Sequence, residues 1–344
     1  MQYYITFLVL VSILLLLSSI YKEVSKLTFL SAVFITMIFS GLRYDAGNDF
    51  FTYLDMINGL FPYDKIEPIP KSLIVISSHL KSPWLFFLST SVMYISSIYY
   101  FCTKLSSRPQ FSFFLFCVMP LSLLTSMGYV RQFLAVGFFC VSLCHFMDGR
   151  KKISLLFFLI SFMSHYSALF FFPVLLMYRI ISSRKLPLAV YVIFISLSLL
   201  SSGIVELLVD YAGNYGAYIA GERFIESGKK IGYIVIGMFF WFYIFSRNIK
   251  SKNEIFLFNL YFLFSCGYAL LMPFGEYIVR VMYFLFPIAY ILFANTLVKN
   301  VNMRVVQSSG ILITGVLLYF STLYLAASNE TRDFLTNYSI SILR

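Results

Sequence analysis

Long apolar runs cut by short charged breaks constrain this chain more than any other feature, beginning with "YYITFLVLVSILLLLSSI" at 3–20. In hydrocarbon every backbone N–H and C=O must be satisfied within a helix or a closed barrel, and these runs lack the alternation that barrel strands require. Helices are therefore expected. With 60% of the 344 residues hydrophobic and 12% charged, a soluble domain of this length could not cover so much apolar surface. The expected fold is all-α: a single polytopic integral membrane domain over 1–344. The runs lie near 3–20, 26–41, 84–102, 111–126, 129–147, 152–180, 186–202, 231–246, 255–273, 278–298 and 306–326. No basic stretch precedes the first and no small-residue cleavage site follows it, so it is expected to be a retained helix.

Charge sorts the breaks. The short loops "CTKLSSR", "DGRKK", "YRIISSRK", "SRNIKSK" and "KNVNMR" are basic with almost no acid, whereas 42–83 and 203–230 carry both signs. The positive-inside rule puts the former in the cytoplasm and leaves the latter as two larger outer loops. The net charge of +11 thus reads as topology rather than as a nucleic-acid surface. One parity conflict follows, because "DGRKK" and "RIISSRK" both belong inside yet flank the single run 152–180. Two short segments, 153–164 and 166–180, meeting near His165 resolve it; a single tilted helix with one violating loop is the alternative. At about 1.5 Å per residue each half reaches only about 20 Å into a core of about 30 Å, so such a pair would be re-entrant. About 11–12 transmembrane or re-entrant helices result.

The five cysteines all fall inside apolar runs with no C-x-x-C spacing, and are expected to be small apolar fillers. More informative are the cations. Arg43 ends the second run, Arg131 lies in "MGYVRQF", Arg280 in "FGEYIVRVMYF" and Arg223 in the second outer loop. A single arginine near a helix end can snorkel to headgroup phosphate. Arg131 and Arg280 are flanked by apolar sequence on both sides, where a charge is costly unless it is paired or lines a cavity. Since the guanidinium fork suits phosphate and diphosphate, the set points to an anionic lipid headgroup.

His165, in "MSHYSA", is either a helix-packing residue or, at the tip of the hairpin, a general base or a donor to an anionic oxygen. Asp45 and Asp49 sit near Arg43 and Tyr53, without D-x-D, H-E-x-x-H or a third ligand at metal-binding spacing. No metal site is expected; an acid here positions a sugar hydroxyl or pairs with an arginine, and Arg43 either holds phosphate or pairs with Asp45 or Asp49. Tyr211, Tyr215, Tyr218 and Phe224 give the second loop rings for sugar faces, or the apolar side of an interfacial helix. P-loop, G-x-S-x-G and G-x-G-x-x-G patterns are absent, which removes ATP-driven transport within this chain.

Arg43, Gly47, Asp49 and Tyr53, spaced R-x-x-x-G-x-D-x-x-x-Y, then "RQ" at Arg131–Gln132 and "HYSA" at His165–Ala168, together resemble the EpsG/Wzy-like family of bacterial polysaccharide polymerases. The resemblance implies an inner-membrane enzyme whose active site faces the periplasm. It would join O-antigen or similar repeat units, donor and acceptor both carried on undecaprenyl diphosphate among membrane lipids, with a chain-length regulator as a candidate partner and no nucleic acid. Such a glycosyltransferase needs no cofactor and, if arginines stabilise the leaving diphosphate, no metal. Arg131 and Arg280, with Gln132 and Arg223, are then expected at the diphosphate and sugar, Arg43, Asp49 and Tyr53 at the acceptor side, and His165 or Asp49 as the base. An O-antigen ligase, or a flippase of lipid-linked oligosaccharides, is the alternative; a flippase should show internal repeats, and none is visible.

Overall fold

Much of the uninterrupted apolar sequence folds here as long helices. The computed structural model describes residues 1–209, 225–327, 335 and 337–340. Five of its helices are long and apolar enough to cross a membrane: Gln2–Ile20, Pro83–Leu105, Val130–Met147, Lys252–Phe274 and Val301–Ala327. Shorter apolar helices accompany them, and the chain is an all-α, multi-pass membrane protein.

Two compact units make up the chain, Met1–Phe172 with Val305–Arg344, and Pro173–Arg304. The first contains α1 (Gln2–Ile20), α2 (Ser25–Gly41), α3 (Phe50–Ile57), α4 (Pro68–His79), α5 (Pro83–Leu105), α6 (Pro109–Val118), α7 (Leu123–Gly128), α8 (Val130–Met147) and α9 (Lys151–Ser164). A two-residue ladder, β1 (Arg43–Tyr44) with β2 (Ser339–Ile340), is antiparallel. It brings the end of the chain to the end of α2, where Tyr338 Oη donates to the Phe39 carbonyl at 2.8 Å and its ring stacks on Phe39 at 4.8 Å.

Three of the expected runs are not single helices. In 111–126, Pro120 lacks the N–H a helix needs and Leu121 takes a φ of 53°, so the chain divides into α6 and α7. Across 278–298 the structure passes from the helix Glu276–Val279 through a 3-10 segment, Arg280–Leu285, to Ile288–Asn295. The third, 152–180, breaks where the parity argument required it. α9 ends at Ser164, His165 is extended at φ −160° and ψ 122°, and a 3-10 segment, Tyr166–Phe171, follows. The Phe158 and Phe172 rings are 5.2 Å apart. Fourteen residues of continuous helix would separate them by about 21 Å, so the chain has doubled back.

The mixed-charge segment 42–83 is itself folded. α3 and α4 bury Phe50, Tyr53, Met56, Ile57 and Ile74 against Phe86 and Phe87 of α5 and Val130 of α8. At about 1.5–3 kcal/mol for each large apolar side chain taken out of water, this small core holds the insertion onto the helices beneath it. Most of the second loop, with Tyr211, Tyr215, Tyr218, Arg223 and Phe224, lies outside the described residues.

Candidate functional site

Serine spacing sets the geometry of the site. Ser142 of α8 donates to the Ser154 carbonyl of α9 at 2.8 Å, and Ser161 of α9 donates to the Ala135 carbonyl of α8 at 2.7 Å. These contacts are seven residues apart on each antiparallel helix, two full turns, and the small side chains let the backbones approach closely. Four residues further along the same register, Arg131 at the start of α8 faces His165 just beyond the end of α9.

Glu67 fills the space between them. One carboxylate oxygen lies 2.6 Å from His165 Nδ1, and the other accepts from Arg131 Nη1 at 2.6 Å. Its position follows from "EPIP": the residue before a proline is pushed to extended backbone, and Pro68 occupies the first turn of α4. Glu67 has ψ 152° and makes no capping bond into its own helix, so the side chain is turned toward α8 and α9. Its side chain is 5% exposed, against 22% for His165 and 30% for Arg131. Burial by itself would raise the Glu67 pKa, but the hydrogen bond with His165 and the charge of Arg131 outweigh it and hold the carboxyl at about 2, down from 4.5.

Arg131 is anchored a second time, its Nε donating to Tyr53 Oη at 2.9 Å. The Tyr53 ring lies against Phe86, centroids 4.6 Å apart, and burial pushes its phenol up, so it stays neutral and accepts. Two guanidinium nitrogens are thereby engaged. Nη2 has no hydrogen-bond partner among the described residues.

Behind this cluster the motif around Arg43 acts as its support. Arg43 is 2% exposed, and its guanidinium lies over the Phe87 ring, 4.8 Å from the centroid. Its Nε donates to the Ala46 carbonyl at 2.9 Å, Nη1 to Ser40 at 2.5 Å and Nη2 to Met127 at 3.2 Å. Burial pushes the group down to about 10, which leaves it charged at neutral pH. Gly47, at φ +104°, packs its Cα on the same Met127 carbonyl: a Cβ there would stand 2.0 Å from the oxygen. The motif thus clamps the junction between α7 and α8 from which Arg131 projects.

The sequence expectations divide accordingly. Arg131, Tyr53 and His165 are brought together. Arg43 is buried, with its fork directed at three backbone carbonyls. Asp49 occupies the N-cap position of α3, one turn before Tyr53, without a side-chain capping bond, and its charge is felt by both Tyr53 and Arg43; the carboxylate that meets His165 is Glu67, which sequence reasoning passed over. The available signal was an acid in "EPIP" opening a helix within a mixed-charge loop. Gln132 is buried beside Arg131, 4% exposed. Arg280 belongs to the second unit, at the head of its 3-10 segment, and Arg223 lies outside the described residues.

The Glu67 pairing predicts an acid limb for stability. Its folded pKa is depressed, so the contribution is complete above about pH 4.5 and is lost as pH falls toward 2. Thermal midpoints of the detergent-solubilised protein should drop across that window, and Glu67→Gln should drop less over it; equal slopes would remove the pairing.

Against known proteins, the sequence model of the EpsG family matches residues 26–340. No curated protein and no solved structure matches the chain.

Proposed function

Because the chain belongs to the EpsG family of polysaccharide polymerase-like membrane proteins, we propose that it joins saccharide repeat units carried on undecaprenyl diphosphate, O-antigen units in particular, at the periplasmic face of the inner membrane. The observation that carries this reading is the shared carboxylate of Glu67, which sets a histidine beside an arginine at the mouth of a membrane helix. A transfer between two lipid-linked saccharides needs those two groups side by side: a proton acceptor for the attacking hydroxyl and a cation for the departing diphosphate.

In the proposed step the acceptor hydroxyl oxygen bonds to the anomeric carbon of the nascent chain and its proton passes to His165 Nε2. The anomeric C–O bond breaks with its electron pair going to the diphosphate. Arg131 meets the charge that develops there, and its unengaged Nη2 is the donor nearest to hand. The imidazolium then loses its proton to water, which restores the base. Arg280 and Arg223 are proposed as cations for an anionic part of the substrate, and Asp49 as support for Tyr53.

The test is reconstitution. Purified protein in vesicles holding a synthetic polyprenyl-diphosphate repeat unit should build a ladder of products, and His165→Ala should slow it by about 10²- to 10⁴-fold. Transfer of one glycan to lipid A core without a ladder would mark a ligase. Movement of the lipid across the bilayer without any new glycosidic bond would mark a flippase.

A further inference from the structure

We infer that Glu67 is the positioning residue of this site, one buried carboxylate that holds His165 in its Nδ1–H tautomer and at the same time aims the guanidinium of Arg131. This rests on the proposed reading of His165 as the proton acceptor, and it assigns the residue that makes the histidine fit for that role.

The geometry limits what Glu67 can do. Each of its oxygens has a partner at 2.6 Å, and the residue is 3% exposed, so it touches no substrate. A carboxyl held at about 2 is ionised at neutral pH and takes up protons poorly, which makes it an acceptor of hydrogen bonds rather than a base. An ionised carboxylate has no proton to give, so the hydrogen in its bond with His165 sits on Nδ1. The neutral ring then carries its lone pair on Nε2, on the side away from Glu67. Without that bond the proton can sit on Nε2, and the ring then presents a donor where an acceptor is needed.

The charges around the ring agree with this arrangement. Glu67 faces it from the start of α4, and Arg131 from α8 on the far side of the carboxylate; Tyr53 of α3 accepts from Arg131. Glu67 therefore steadies the imidazolium formed when Nε2 takes the acceptor proton, while Arg131 keeps the carboxylate ionised. Because one carboxylate serves both partners, His165 and Arg131 are held at a fixed separation, as a two-ended reaction requires.

The experiment uses the full chain in detergent micelles with ¹⁵N-labelled histidine. Only three histidines are present, and His165→Gln identifies the signal of interest. In the wild type, His165 should show a protonated Nδ1 and an unprotonated Nε2 at pH 8. In Glu67→Gln the Nε2–H form should appear, and elongation should fall by about 10²- to 10⁴-fold with an altered pH profile. Glu67→Asp, which keeps the charge on a shorter arm, should retain the Nδ1–H form and recover part of the rate. An unchanged His165 tautomer in Glu67→Gln overturns the positioning role, whatever happens to the rate. A changed tautomer establishes that role even if elongation is unaffected, in which case it is the reading of His165 as the base that fails. Should Glu67→Gln not fold, Glu67→Asp carries the decision: an Nδ1–H form supports the role, and loss of that form with the carboxylate still present overturns it.

Discussion

Replacing Arg131 by lysine is expected to slow chain elongation by about 10²- to 10³-fold while the protein still folds. Arginine here gives Nε to Tyr53 and Nη1 to Glu67, two bonds in fixed directions from one rigid plane. A lysine ammonium keeps the charge but is a single point on a flexible stem, so it cannot hold both partners and still face a diphosphate. Loss of one preorganised donor to a developing oxyanion costs on the order of 10² to 10³ in rate. The side chain is 30% exposed, and the apolar face of α8 is unaltered, so the thermal midpoint should move little. Initial rates over a range of lipid-linked donor concentrations make the check. A fall in kcat fits an interaction realised as the C–O bond breaks, whereas a rise in KM alone shows that Arg131 only holds the ground state. Wild-type rates in the variant would remove it from the site.

Gly47→Ala should be the most damaging single methyl group in the first unit. The added carbon would lie 2.0 Å from the Met127 carbonyl oxygen and 2.5 Å from its carbon. Those are backbone atoms held by Arg43, with no flexible side-chain end to yield. The φ of +104° is also one that L residues rarely adopt. Strain and displaced backbone together should cost about 3–5 kcal/mol, a large part of what holds a domain folded. Gly59→Ala is the matching control. It shares the positive φ, at +76°, but a Cβ there meets nothing within 4 Å, so it should cost only about 1 kcal/mol. Thermal midpoints of the two purified variants decide the matter, and equal effects would mean that contact with Met127 is not what makes Gly47 necessary.

Much of the architecture is legible in the sequence. Apolar runs locate the helices because in a lipid solvent length and hydropathy select them almost unaided. The reversal at His165 is legible as well, from the conflict between two basic loops rather than from any local breaker. Hydropathy reports burial and not backbone geometry, however. It does not divide 111–126 at Pro120 and Leu121, nor show that part of 278–298 is 3-10. It also presents 42–83 as a loop, where two short helices build a core with α5 and α8.

The site divides along the same line. Arg131, Tyr53 and His165 stand out by type and surroundings, since charge inside apolar sequence has to be paired or put to use. Arg43 stands out equally, and its surroundings are different. Three carbonyls from 40, 46 and 127 converge on it, and no spacing in the sequence reveals that convergence. Glu67 is one acid among several in a mixed-charge loop. Its importance comes from two partners at 131 and 165, distant in sequence and brought together by the register of α8 on α9.

Composition, hydropathy and short motifs are local properties of the chain, and they suffice for the solvent, hence the fold class, along with the family and the residue types from which a site could be made. Which carboxylate meets the histidine, and which arginine is spent on support, is settled by tertiary contacts. Those outcomes depend on how two antiparallel helices are set against each other. Seven-residue serine spacing fixes that register through contacts between segments, and a linear sequence does not display them.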